Sequence, residues 1–254
     1  MAALNVSFAA CGFMGIYQLG AVGALLRHGD RLVASLRACA GASAGALVAA
    51  VLITAPDKVE HCKDFTYKFA AEVRSQKLGA LTPGYDFMLA LRSGMEDVLP
   101  GDAHKVAADR LWVSVTHAKS GKNSLVGEFS SRDELIMALL ASSFVPVYAG
   151  LRTLEFRGQK YYDGGFSDGL PLLPSGRTLT ISPFAGRGVN VCPAHTGRSQ
   201  RHFRHANMNI LLSLDNIVRL NQALFPPPLA RMRSLCQQGE EDTLRFLKKE
   251  GWLH

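Results

Sequence analysis

The sequence predicts an α/β fold, with a mostly parallel central sheet between helices and a serine on a sharp turn at its centre. Three observations carry this prediction. Up to Thr54 the chain alternates strand, glycine turn, helix, strand, turn and helix, the pattern of a parallel sheet with helices on its faces. Gly41-Ala42-Ser43-Ala44-Gly45 is a G-x-S-x-G set between small strand-like residues and the apolar run Ala44 to Ile53, which is the context of a nucleophile elbow. Hydrophobic residues make up 48% of the 254 and charged residues 19%, a composition that supports a large core and argues against disorder.

The elements follow in order. Leu4 to Ala10 reads as the first strand, and Cys11-Gly12-Phe13-Met14-Gly15 as a glycine turn. Ile16 to His28 places Ile16, Leu19, Val22, Leu25 and Leu26 on one helical face, and Gly29 stops it. After the elbow and Pro56, a longer helix carries Val59, Cys62, Phe65, Phe69 and Val73 at helical spacing. A break at Gly79 to Gly84 then precedes a helix over Tyr85 to Val98. Leu111 to Thr116 and Ser124 to Phe129 read as strands joined by a hairpin turn at Lys119 to Asn123. Ser131-Arg-Asp-Glu134 is a capping box that opens a helix from Leu135 to Leu140. Strands are expected at Leu151 to Phe156 and Thr178 to Ile181. Residues 183 to 206 read as an exposed, mobile basic loop. Asn209 to Phe225 reads as an amphipathic helix with Ile210, Leu214, Ile217 and Leu224 in one stripe. The last helix is expected to start at the acidic cluster Glu240-Glu241-Asp242 and end at Lys248-Lys249. With no repeat and no linker, one domain over 1–254 is expected, with a motif-bearing core at about 4–185 and C-terminal helices across 207–250.

The totals narrow the function. A net charge of +7 fits a basic surface drawn to an anionic membrane face, and no motif of nucleic-acid recognition accompanies it. The five cysteines are widely spaced with no C-x-x-C, as expected for reduced thiols in an intracellular compartment. No basic segment precedes the first apolar stretch, so no secretory signal is expected. The longest apolar run is shorter than the roughly 18 residues a spanning helix needs, so the chain is expected to touch a membrane rather than cross it. Arg198, Arg201 and Arg204 are candidates for contact with anionic lipid.

A serine hydroxyl becomes a nucleophile once a base takes its proton. After Ser43 the chain offers Asp163 and then His195, His202 and His205, the Ser, Asp, His order of a triad. Those histidines share an arginine-rich, loop-like stretch. Asp163-Gly164-Gly165, just after a strand, offers instead a carboxylate with little bulk around it, although an ordinary Asp-Gly turn has the same sequence. The turn Gly12-Phe13-Met14-Gly15 can supply amides to an oxyanion. Read as a dinucleotide fingerprint it fails, because Ala10 stands at the first glycine and no acid closes the second strand.

Cys11 to Tyr17, Gly41 to Gly45 and Asp163 to Gly165, in this order and context, resemble the patatin-like phospholipases. Thr82 to Phe87, Leu139 to Val145 and Arg219 to Phe225 extend the likeness to the adiponutrin-type group, nearly end to end. The resemblance implies a three-layer α/β/α domain and a Ser43–Asp163 dyad with no histidine. It implies an oxyanion hole at Gly12, Phe13, Met14 and Gly15, with Gly41 and Gly45 shaping the elbow and Gly164 and Gly165 the aspartate loop. It implies no metal or organic cofactor. The substrates it implies are acylglycerols, phospholipids or retinyl esters, hydrolysed or passed to another lipid. The chain would then be cytoplasmic, on the surface of membranes or lipid droplets, with mitochondrial association left open. The alternative is a catalytically weak lipid-binding or scaffold protein on the same fold. Ala10, Gln18 and Gly169 depart from the group's pattern, Gly169 beside the aspartate loop. The chain also ends soon after the domain, without the extension that takes larger relatives to lipid droplets.

Overall fold

The computed structural model describes residues 3–150, 153–194 and 201–253. In chain order these form β1 (Leu4–Phe8), α1 (Gly15–His28), α2 (Asp30–Ala34), β2 (Leu36–Ala42), α3 (Ala44–Thr54), α4 (Val59–Ser75) and α5 (Phe87–Val98). Next come α6 (Ala103–Ala107), β3 (Leu111–His117), β4 (Asn123–Val126), α7 (Arg132–Ser143), β5 (Leu154–Phe156), β6 (Gln159–Asp163) and β7 (Arg177–Ile181). The chain closes with β8 (His202–His205), β9 (Met208–Leu211), α8 (Leu214–Leu224) and α9 (Leu229–Lys249). The expected α/β architecture is present, with helices covering a sheet ordered β5-β6-β3-β2-β1-β7 and β4 also paired to β3.

The centre of the sheet is parallel. β1 runs parallel to β2 and β7, and β2 parallel to β3. These strands are buried on both faces, so they read as continuous small or apolar runs such as Ala38 to Ala42 rather than alternating ones. The antiparallel part lies beyond β3. β2 pairs with Cys39–Ala42 opposite Leu111–Ser114, β4 with Val113–Thr116, and β6 with Val115–His117. A strand has two edges, so β4 takes one and β2 and β6 share the other, approaching from opposite ends. They meet where Ala42 faces Ser114 and Asp163 faces Val115.

The core gathers Phe8, Ile16, Tyr17, Leu25, Leu111 and Ile136, all fully buried. α9 lies against α1 through paired small residues: a side chain at Gly239 would run into the Tyr17 carbonyl, and one at Gly20 into the Cys236 carbonyl. None of the five cysteines is bridged.

Four expectations need correction. The last helix begins at Leu229, so Glu240-Glu241-Asp242 lies mid-helix. There Glu240 meets Lys63 and Arg27, and Asp242 accepts the Tyr17 hydroxyl. The basic loop over 183–206 is not uniformly exposed. Phe184, Ala185 and Val191 are buried, the Asn190 side chain accepts the Thr180 amide, and His202–His205 pairs with Met208–Leu211. The helix expected from Asn209 starts at Leu214, because Ser213 caps it by accepting the Asn216 amide, and the residues before it are strand. Most of its apolar stripe faces solvent. Leu214, Ile217 and Leu224 are exposed, while Asn216 and Arg219 are buried. The Asn216 carboxamide accounts for this orientation: it accepts the Ala185 N–H and donates to the Ala185 and Leu211 carbonyls. Of the strand expected at Leu151 to Phe156, the first two residues lie outside the described ones, as do His195 and Arg198.

Candidate active site

Ser43 sits between β2 and α3 with φ 54° and ψ −132°, a backbone conformation that costs a non-glycine residue on the order of 1–3 kcal/mol. The flanking glycines make that turn possible. A Cβ on Gly41 would lie 2.4 Å from the Gly45 carbonyl, and one on Gly45 2.3 Å from the Phe8 carbonyl oxygen. The strain is held by a serine that sequence reasoning did not single out. The Ser43 N–H donates to Ser142 Oγ (2.9 Å), which in turn donates to the Ser114 carbonyl (2.6 Å). α3 starts at the next residue and points its amides and positive dipole end toward Ser43.

Asp163 ends β6, and the shared β3 edge brings it beside Ser43. Its carboxyl is buried and accepts the Gly165 N–H (2.7 Å), with the Ser43 hydroxyl close enough to favour its charged form. Burial raises its pKa from 3.8 to about 6, and the nearby Ser43 hydroxyl and the Gly165 amide restrain the rise. The Asp-Gly-Gly sequence has a steric cause. A Cβ on Gly164 would lie 2.1 Å from the Ser114 carbonyl oxygen. One on Gly165 would lie 2.8 Å from the Ala10 methyl and 2.9 Å from Asp163 Oδ1.

The aspartate loop is stapled from the sheet side. Thr116 Oγ1 donates to the Asp163 carbonyl and meets Ser167 Oγ, Asn123 Nδ2 donates to Ser167 Oγ, and Ser114 Oγ donates to the Asp168 carbonyl. Ala10 and Gly169 face each other, the Ala10 N–H donating to the Gly169 carbonyl (2.8 Å). Gln18 is buried and ties the ends of β1 and β7 through the Ala9 and Ile181 carbonyls. All three unusual positions thus lie in structure that frames the site.

In the glycine turn the amides of Met14 and Gly15 are engaged by the Cys11 and Gly12 carbonyls. Of the four residues expected to form an oxyanion hole, Gly12 and Phe13 keep amides outside that pairing. His202 and His205 lie on the β8–β9 ribbon, a sheet separate from the one that carries Ser43 and Asp163. Among the described residues no group of histidine, cysteine or carboxylate side chains is arranged to hold a metal.

Ser43 opens into a cavity of about 150 Å³. Leu47 and Val51 of α3, Phe65 and Phe69 of α4, and Phe87 and Leu91 of α5 give it apolar walls, with the Phe69 and Phe87 rings 5.0 Å apart. This is an apolar pocket with a buried serine and a buried carboxyl at its end.

Comparison with known proteins gives the site a family. Residues 6–174 match the family described as Patatin-like phospholipase. The chain belongs to that family. It is 59% identical over 249 residues to human patatin-like phospholipase domain-containing protein 4, covering 98% of each. It is 41% identical over 250 residues to human patatin-like phospholipase domain-containing protein 2, and 38% over 245 residues to human omega-hydroxyceramide transacylase. Those two alignments cover 98% and 96% of this chain, but only 49% and 46% of the relatives. The fold is the patatin fold, a three-layer α/β/α arrangement, and patatin family membership carries lipid hydrolysis or acyl transfer as its general class of activity.

Ser142 offers a test within this patatin site. Ser142→Ala leaves the Ser43 amide and the Ser114 carbonyl without their buried partner, so it is expected to destabilise the protein by about 2–3 kcal/mol. It is also expected to lower kcat roughly tenfold with little change in KM, because the elbow loses its fixed geometry. Thermal melting and steady-state kinetics on the same preparation read both effects, and wild-type values in both would discount this role for Ser142.

Proposed function

We propose that the protein, acting as one domain over 1–254, is a serine carboxylic-ester hydrolase of lipids that works through a Ser43–Asp163 dyad. The observation that carries this reading is the buried Asp163 carboxyl beside the hydroxyl of a serine on a strained elbow, at the end of an apolar cavity.

The chemistry follows from the geometry. Ser43 Oγ attacks the ester carbonyl while Asp163 takes its proton. The Gly12 and Phe13 amides, aided by the α3 dipole, stabilise the oxyanion. Collapse transfers the proton from Asp163 to the departing alcohol and leaves an acyl-Ser43 ester. Water then releases the fatty acid by the same steps, with Asp163 again the base. If a lipid alcohol takes the place of water, the same intermediate gives acyl transfer, the activity named for the transacylase relative. The cavity walls suit the acyl chains of acylglycerols, phospholipids and retinyl esters alike, and no step requires a metal or organic cofactor. Such substrates are held in membranes or lipid droplets, so the protein is expected to work at their surface. Among the described residues no helix is long and apolar enough to cross a membrane.

A fluorophosphonate probe tests the proposal without a choice of substrate. Wild-type protein is expected to give one adduct, mapping by peptide mass to Ser43, and Ser43→Ala none. A folded wild-type protein that takes up no probe would instead favour a lipid-binding or scaffold role for the same fold.

A further inference from the structure

α8 is built inside out. Its buried side holds Asn216 and Arg219, and its solvent side holds Leu214, Ile217, Val218, Leu220 and Leu224. Leu214 is 81% exposed and Ile217 58%. The helix has two charged residues, of which Arg219 is buried and Asp215 lies at the edge of the apolar face. A monomeric soluble protein rarely presents such a continuous apolar strip to water, and one that does is marked for contact with another surface.

The position of the helix indicates which surface. Its last turn supplies Ala223 and Leu224 to the wall of the cavity, so the exposed strip, with Asn221 as its one polar side chain, runs into the site. The Ala223 carbonyl lies against Gly12, where a Cβ would approach it to 2.2 Å. The Tyr148 hydroxyl donates to the Leu224 carbonyl, and Arg74 donates to the Pro226 carbonyl, fixing this end at the mouth. Exposed cations bracket the helix. Arg201 and Arg204 lie on the ribbon leading into it, with the Leu212 N–H bonded to the Arg201 carbonyl, and Arg231 and Arg233 follow it. Apolar side chains along one face with basic residues at the borders match the depth profile of an anionic phospholipid surface, to which each nearby cation adds attraction.

We infer that the outward face of α8 seats the protein on anionic phospholipid membranes, with the cavity mouth opening directly into the lipid. This rests on the reading of the cavity as a lipid acyl site. An ester leaving the membrane then follows the α8 strip to Ser43 without crossing water. The interaction has an apolar part that salt leaves intact and an electrostatic part that salt weakens.

Vesicle flotation tests the inference in a Ser43→Ala background, so that turnover plays no part and a failure of the catalytic reading leaves the result interpretable. The Ser43→Ala protein is expected to float with vesicles of phosphatidylcholine and phosphatidylserine. Adding Leu214→Glu and Ile217→Glu is expected to cut the bound fraction at least tenfold with an unchanged thermal melt, whereas adding Leu214→Met and Ile217→Leu retains binding. Parent protein that stays unbound, or a double-glutamate variant that floats equally well, overturns the inference. So does a parent that sediments as a dimer and becomes monomeric in the double-glutamate variant, because the face would then belong to a second copy of the chain.

Discussion

Asp163→Asn is expected to lower ester turnover at neutral pH by about 10²–10⁴-fold, the usual contribution of a positioned general base. Asparagine keeps the size of the side chain and an oxygen for the Gly165 N–H, so the loss reports on proton transfer rather than on the shape of the loop. The pH profile follows from the same carboxyl. With its pKa raised to about 6, the wild-type enzyme is expected to lose activity as pH falls through 6, when the base becomes protonated. Such a base is also better matched to neutral pH than an ordinary aspartate.

The same shift has an opposite effect on stability. Between the unfolded value near 3.8 and the folded value near 6, the native state binds more protons than the unfolded chain, so stability falls as pH rises across that window. Above it the buried carboxylate costs about 3 kcal/mol, at about 1.4 kcal/mol per pH unit. Asp163→Asn is therefore expected to melt higher than wild type at neutral pH and to lose this advantage below pH 4. Denaturant titrations at pH 4 and pH 7.5, beside a pH–rate profile, check both signs. Undiminished turnover in the Asn variant would remove Asp163 from the mechanism.

Gly45→Ala is expected to cost about 3–5 kcal/mol, at the severe end for a single methyl group. The added Cβ would meet the carbonyl oxygens of Phe8 and Ala9 at 2.3 and 2.6 Å. Both belong to backbone at the end of β1, which cannot rotate aside as a side chain would. Relief requires α3 to move away from the sheet, and that movement carries Ser43 with it. Fluorophosphonate labelling of the folded fraction is thus expected to fall before global unfolding is seen. Gly101→Ala is the matched control. No atom lies within 4 Å of its added Cβ and its backbone is ordinary, so its stability is expected to change by less than about 0.5 kcal/mol. Equal melting temperatures for the two variants would contradict the steric account of the elbow.

The elbow and the aspartate loop were legible in the sequence because steric demands there leave almost one residue type per position. Where backbone meets backbone at Gly41, Gly45 and Gly164, glycine is a direct record of the contact. The alternation that predicts a parallel sheet was legible for a similar reason, since strands buried on both faces have to be apolar throughout. α8 was not. Periodicity shows that a helix has an apolar stripe but not which way the stripe faces, and the deciding group was the Asn216 carboxamide bonded to Ala185, whose contacts lie 31 residues away in sequence. Ser142 was equally hidden, a serine at the end of a helix that reaches the Ser43 amide across 99 residues. Glu240 to Asp242 read as a helix start because acids favour that position, yet there Tyr17, Lys63 and Arg27 hold two of them mid-helix.

The shared edge of β3 has a consequence for the growing chain. Ser43 is synthesised early, between β2 and α3, whereas Ser142, which holds its amide, and Asp163 both emerge on the order of a hundred residues later. Until β6 docks against the end of β3 that β2 leaves open, the serine lacks the carboxyl proposed as its base. On the proposed mechanism a nascent chain would therefore be an unarmed hydrolase, its serine made but not yet positioned or paired with a base. Catalytic competence would arrive as a late folding event, timed by the pairing of Val115 with Asp163.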